Sequence, residues 1–177
     1  MGKMNKYAIY AIMLIVSVVA LLLPLYVWPK EVASEFEGAM FRDGDSSYHE
    51  AVSIEITGHM NKRLFGGRTF LGKISMDKMP VKEDFRNQRI QIKFNSAGVG
   101  RLVYLETVDG VRSLKTEGFI SMSLKADSIA IIFLEGADAG DFDFGGGLLI
   151  AGPASNRSEA VAGANSMFGI SIAKPLE

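Results

Sequence analysis

The sequence predicts a mainly β protein, in which an N-terminal transmembrane helix precedes an antiparallel β-sandwich or β-roll with one short C-terminal helix. Three observations predict this fold class. An apolar run without a single charge, YAIYAIMLIVSVVALLLPLYVW, fills positions 7–28. Beyond it, apolar and polar residues alternate in about eight short segments, the period-two pattern of half-buried strands. Between these segments lie turn-forming residues, and almost no segment has the period of a helix.

The apolar run is long enough to cross a bilayer, because a membrane-spanning helix needs about 20 such residues. Tyr and Trp lie toward both of its ends, where their rings favour the membrane interface. Lys3 and Lys6 precede it and acidic residues follow it, so the positive-inside rule places the N-terminus in the cytoplasm. We therefore expect a single-pass cell-membrane protein with an extracytoplasmic C-terminal domain. The alternative is a cleaved signal peptide and a secreted β-protein, although the run is longer than such peptides require.

These features divide the chain into four parts. The expected boundaries are a cytoplasmic tail at 1–6, the signal anchor at 7–28, a linker at 29–48 and an extracytoplasmic β-domain at 49–177.

Eight strands and one helix are predicted in the β-domain. The helix begins after Asn156, which together with Glu159 has the spacing of a capping box, and it ends at Gly169. The predicted strands are Ala51–Thr57, Thr69–Met76, Arg89–Phe94, Arg101–Thr107, Val111–Lys115, Phe119–Leu124, Ser128–Leu134 and Leu148–Ala151.

Two acidic stretches are candidate metal sites, DAGDFDFGGG at 138–147 and RDGDSSYHE at 42–50. Carboxylates on alternating positions can converge on calcium, but neither stretch has the complete pattern of an EF-hand loop. Solvated turns explain both stretches without a metal, so no cofactor is expected and calcium remains the alternative. The candidate ligands are Asp43, Asp45, Asp138, Asp141 and Asp143.

No assembled catalytic set is visible, so a non-catalytic binding or scaffolding role at the cell envelope is expected. The sequence lacks H-E-x-x-H and G-x-S-x-G. Ser75 and Lys78 match S-x-x-K, but at the end of a strand rather than at the start of a helix. The alternative is a metal-assisted hydrolase that uses the acidic segment 43–50, including His49.

Charge is unevenly distributed along the chain. Residues 60–125 have a net charge of +7, whereas residues 30–59 and residues 126–177 have −5 each. A basic middle can attract an anionic surface polymer or another envelope protein, and Lys73, Lys93 and Arg101 fall on outward positions of predicted strands. The alternative is internal complementarity between the acidic and basic strands. Nucleic acid is not an expected partner, since no RNP-like motif accompanies the basic residues.

Overall fold

A computed structural model shows an eight-stranded antiparallel barrel between two helices. The structure describes residues 6–42, 45–63, 66–78, 89–108, 111–134, 147–169 and 171. The elements, in chain order, are α1 Lys6–Val27, β1 Lys30–Arg42, β2 Asp45–Lys62, β3 Arg68–Met76, β4 Ile90–Phe94, β5 Val99–Val108, β6 Val111–Met122, β7 Ile129–Phe133, β8 Leu148–Gly152 and α2 Arg157–Phe168.

The strands follow one another around the barrel in sequence order, and β8 closes it by pairing with β1. The mainly β class, the antiparallel pairing and the short C-terminal helix are thus confirmed, but the architecture is a closed barrel and not an open sandwich or roll. Alternation along a strand shows that one face is buried. It carries no information on whether the first and last strands meet, because that depends on residues more than a hundred positions apart.

Strand β1 lies inside the segment 29–48, where the sequence analysis expects a linker. Its first half alternates, but Gly38, Ala39, Met40 and Phe41 are all buried. The alternation is lost there because α2 covers the outer face of the barrel at Ala39 and Phe41. Likewise, the predicted strands at 111–115 and 119–124 form one continuous strand, β6, with an irregularity in its pairing to β5 between Leu102 and Val103.

The barrel interior is filled by apolar side chains from the inward positions of the strands. Phe70, Ile54 and Ile120 are among the fully buried members of this core. An eight-stranded barrel has an interior of about the size that such side chains fill. A second, smaller core lies outside the barrel, where Ala160, Val161 and Ala164 of α2 pack against β1, β7 and β8.

Helix α2 has the caps that the sequence predicts. The side chain of Asn156 accepts a hydrogen bond from the backbone N–H of Glu159, and Gly169 ends the helix with φ 69°. The Glu159 carboxylate accepts from the backbone N–H and the hydroxyl of Ser155, both at 2.8 Å, and these bonds hold its pKa below the usual value. The capping box is therefore present, but its second hydrogen bond comes from Ser155, one residue before the N-cap Asn156.

The barrel is strongly staggered. Following the paired residues once around it, from Lys30 through Met60, Phe70 and Ile92, returns to β1 at Arg42, twelve residues further along the strand. Closing a barrel requires such a stagger, with strands that tilt relative to the barrel axis. As a result β8 meets β1 only over Ala39–Arg42.

The first helix enters at one end of the barrel, called the base here. The base is formed by the start of β1, by residues 63, 66 and 67 between β2 and β3, and by the connections 95–98 and 123–128. The strands β1, β3, β5 and β7 finish at the opposite end, the rim. Within the described part of the chain, no helix is both long and apolar enough to cross a membrane. The transmembrane segment at 7–28 therefore stays a prediction.

Candidate functional site

Asp45 is the one predicted metal ligand that the structure describes. Its carboxylate accepts hydrogen bonds from the N–H of Ser47 at 2.9 Å, from the Ser47 hydroxyl at 2.6 Å and from the N–H of Tyr48 at 3.2 Å. The bonds from Ser47 are the main reason why the pKa of Asp45 lies below its usual value. This is the geometry of an Asx turn, which gives the carboxylate a structural role at the start of β2.

The other predicted ligands, Asp43, Asp138, Asp141 and Asp143, lie outside the described residues. The strands that flank the two acidic stretches are neighbours at the rim, because Arg42 pairs with both Asp45 and Leu148. Among the residues that the structure does describe, no group of three His, Asp or Glu side chains is close enough to hold a metal ion.

Glu50 and Lys78 form an ion pair near the rim. The Lys78 ammonium lies 2.9 Å from the Glu50 carboxylate and donates to the carbonyl of Ala51 at 3.0 Å. The hydrogen bond from Lys78 to Glu50 is the largest cause of the raised pKa of Lys78. This ammonium is thus charged and paired, and it is unsuited to act as the base for Ser75 that an S-x-x-K site requires.

The three predicted anion-binding residues lie on one outer face of the barrel. Lys73 is on β3, Lys93 on β4 and Arg101 on β5, and all three are on strand positions that alternate with core residues. Phe94 pairs with Gly100, so Lys93 and Arg101 are the next residues on these two neighbouring strands and lie on the same outer face.

A fourth cation joins this face. The pairing of Gly72 with Ile90 places Arg89 beside Lys73 when the register is extended by one residue. We call Lys73, Arg89, Lys93 and Arg101 the basic face. Within the described parts of the chain, no hydrogen bond or ion pair engages any of the four side chains. Like charges on neighbouring strands repel each other. The basic face therefore carries unfavourable electrostatic repulsion, which a bound anion would reduce.

Two large apolar side chains lie within the basic face. Leu71 on β3 is 45% exposed and Val103 on β5 is 43% exposed. In the register, Leu71 pairs with Gln91, next to the pair of Gly72 and Ile90. Val103 lies on β5, two residues beyond Arg101.

Acidic side chains occupy a different sector of the outer surface. Glu31, Glu35 and Glu37 alternate along β1, and Glu35 is directly opposite Glu55 of β2. We call these four residues the acidic stripe. No ion pair among the described residues joins the stripe to the basic face. Glu55 nevertheless lies next to the basic face, since Thr57, two residues further along β2, pairs with Lys73. The Glu50–Lys78 ion pair also joins the acidic and the basic segments of the sequence, so internal complementarity stays an alternative.

Sequence reasoning missed several members of these surfaces. Arg89 falls just before β4, and Leu71 and Val103 read as core residues from their type alone. Strand parity is the signal that could have found them, since residues 69, 71 and 73 alternate with buried Phe70, Gly72 and Ile74. Nothing in the sequence marks Arg157 as buried, but its guanidinium lies over the Phe41 ring at 5.6 Å.

Comparison with known proteins identifies no relative. No protein-family model, no curated protein and no solved structure matches this chain.

Proposed function

We propose that this protein is a non-catalytic binding module, in which α1 holds the barrel at a membrane and the basic face binds an anionic polymer outside the cell. The single observation that carries the binding role is the grouping of four outward cations over three neighbouring strands, none of which forms an ion pair among the described residues.

The exposure of α1 supports attachment to lipid. All of its described side chains from Ile9 to Leu22 are exposed, and nearly all are apolar. Burial of apolar surface contributes about 25 cal/mol per Å², so a helix that is apolar on every side is unfavourable in water. Lipid would remove this surface from water, and the lysines near the N-terminus favour the cytoplasmic side for that end.

The base of the barrel supports the same arrangement. Trp28, which is 68% exposed, links α1 to β1, and an indole ring favours the membrane interface. Leu124 is also exposed at the base, in the connection between β6 and β7, and exposed Lys125 follows it. An exposed tryptophan and an exposed leucine at the same end suit a surface that lies against the membrane interface.

Removing α1 tests the attachment. We expect the full chain to stay with the membrane pellet after alkaline carbonate extraction. A variant without residues 1–27 should be recovered in the supernatant, with a β-rich circular dichroism spectrum that has lost only the helical signal of α1. Leu124→Ser serves as the control, because it alters the base but leaves α1 intact, and it should remain in the pellet. Recovery of the full-length chain in the supernatant would contradict the proposal. Mass spectrometry of the intact chain separates an uncleaved anchor from a cleaved leader.

Neutralising the basic face tests the binding surface. With dextran sulfate as the anionic probe, Lys93→Gln with Arg101→Gln should raise the Kd about tenfold, since each surface cation contributes roughly 1 kcal/mol or less. Raising the salt from about 50 to 500 mM should weaken binding by the wild type, because the Debye length shortens several-fold. Isothermal titration calorimetry measures both effects.

The matched control carries the same change of charge elsewhere. Arg63→Gln with Lys125→Gln removes two exposed cations from the base and should leave the Kd for dextran sulfate within about twofold of that of the wild type. Equal losses in the two double variants would show that net charge, and not the basic face, determines binding.

A further inference from the structure

Among the residues that the structure describes, the half of β1 nearest the base is an open edge of the sheet. Only Ala39–Arg42 pair with β8, and the backbone hydrogen bond beyond them runs from the Ala154 N–H to the Glu37 carbonyl, at 3.0 Å. Residues 30–36 pair with β2 on one side, and no strand among the described residues lies on the other. The cause is the stagger of the barrel, because of which the five-residue β8 lies beside β1 only at its rim end.

The direction of the backbone groups identifies which ones are unpaired. Along a strand, the N–H and C=O groups of successive residues point alternately to the two sides. Because the carbonyl of Glu37 faces β8, those of Ala33 and Glu35 face the same side, where no described strand receives them. Exposed edges of this kind are templates for an additional strand.

The charge along this edge indicates which kind of strand would bind there. A second copy pairing antiparallel through Ala33 would set Glu31 opposite Glu35, and like charges in that position are destabilising. A strand with Lys or Arg on alternate positions would instead place its cations beside the acidic stripe. It would also relieve the repulsion between Glu35 and Glu55, which face each other across β1 and β2.

We propose that the open edge of β1, residues 31–36, binds an extended cationic segment of another protein, which adds to the barrel as a further strand. Its main-chain groups pair with those of Ala33 and Glu35, and its basic side chains lie against the acidic stripe. This inference goes beyond the proposed function, since it names a protein partner for a second surface and depends neither on lipid attachment nor on the basic face.

A fluorescent peptide of alternating Lys and Val, seven residues long and capped at both ends, is the probe. Fluorescence anisotropy with the full chain in detergent micelles should show saturable binding, and the same peptide with Glu in place of Lys should not bind. Ala33→Pro should weaken binding of the Lys peptide at least about tenfold, because proline removes an edge N–H and its ring obstructs the incoming strand. Glu35→Gln with Glu37→Gln should weaken binding several-fold and reduce its dependence on salt.

Ser34→Pro is the control that distinguishes an effect on the open edge from an effect on the stability of the fold. Its N–H points toward β2, so this variant should lower the melting temperature by several degrees, whereas Ala33→Pro should leave it nearly unchanged. Equal peptide binding by wild type and Ala33→Pro would overturn the inference. It would also be overturned if binding appeared only after deletion of residues 170–177, since the chain itself would then fill the edge.

The basic-face variant distinguishes this inference from the proposed function. Lys93→Gln with Arg101→Gln should bind the Lys peptide as the wild type does. Loss of dextran sulfate binding with retained peptide binding in this variant supports two independent surfaces. Failure of the wild type to bind the Lys peptide would refute the open-edge proposal alone.

Discussion

Substituting Gly118 by alanine is expected to lower the free energy of unfolding by about 3 kcal/mol. A Cβ atom at this position would overlap the carbonyl oxygen of Ile132 and lie 2.9 Å from its carbonyl carbon. Both atoms belong to the backbone of β7, which pairs with β6 at this point, so neither can move without breaking the ladder. Thermal unfolding followed by circular dichroism should show a melting temperature about 10 °C lower.

Gly163→Ala is the matched control for this substitution. Gly163 lies inside α2, and a Cβ atom there would meet nothing within 4 Å. The variant should be about 1 kcal/mol more stable than the wild type, because alanine favours the helix. If Gly118→Ala and Gly163→Ala had the same effect, the close approach of β6 and β7 would be refuted.

The substitution of Phe70 by alanine is expected to have the second large effect, a loss of about 3–5 kcal/mol. The Phe70 side chain is 0% exposed and lies in the interior core of the barrel. Its removal combines the lost burial of an aromatic ring with the cavity that remains, which packed neighbours fill only in part. Urea unfolding should give a lower midpoint with a similar slope.

The next residue along β3 provides the control for Phe70. Leu71 points to the outside and is 45% exposed, so Leu71→Ala should change the free energy of unfolding by about 0.5 kcal/mol or less. Similar losses at the two positions would mean that the faces of β3 are assigned incorrectly.

Much of the secondary structure could be predicted from local pattern. Strands β2, β3 and β4 were expected from alternation, and helix α2 was expected from Asn156 and Gly169. Each of these signals is local, since it depends on side-chain period or on capping chemistry within a few residues. The type and the approximate place of an element are therefore available from the sequence alone.

Strand β1 and the closure of the barrel could not be predicted in the same way. The run Gly38–Phe41 is buried on both faces only because α2, more than a hundred residues later in the chain, packs over it. Pairing between β1 and β8 likewise depends on a distant segment.

The candidate surfaces were predicted in part. Lys73, Lys93 and Arg101 were expected to point outward, but their grouping depends on the register between strands, which links Lys93 to Arg101 and Arg89 to Lys73. The open edge of β1 follows from the stagger of the whole barrel, so no local sequence pattern predicts it.

The join between α1 and the barrel is very short, since Trp28 and Pro29 alone separate Val27 from Lys30. Two extended residues reach at most about 7 Å, so the start of β1 stays close to the end of α1. With α1 in a membrane, as proposed, so short a join would keep the barrel close to the bilayer surface. Lengthening the join with a flexible Gly/Ser insert would widen the volume that the barrel can reach and lower the local concentration of both proposed binding surfaces.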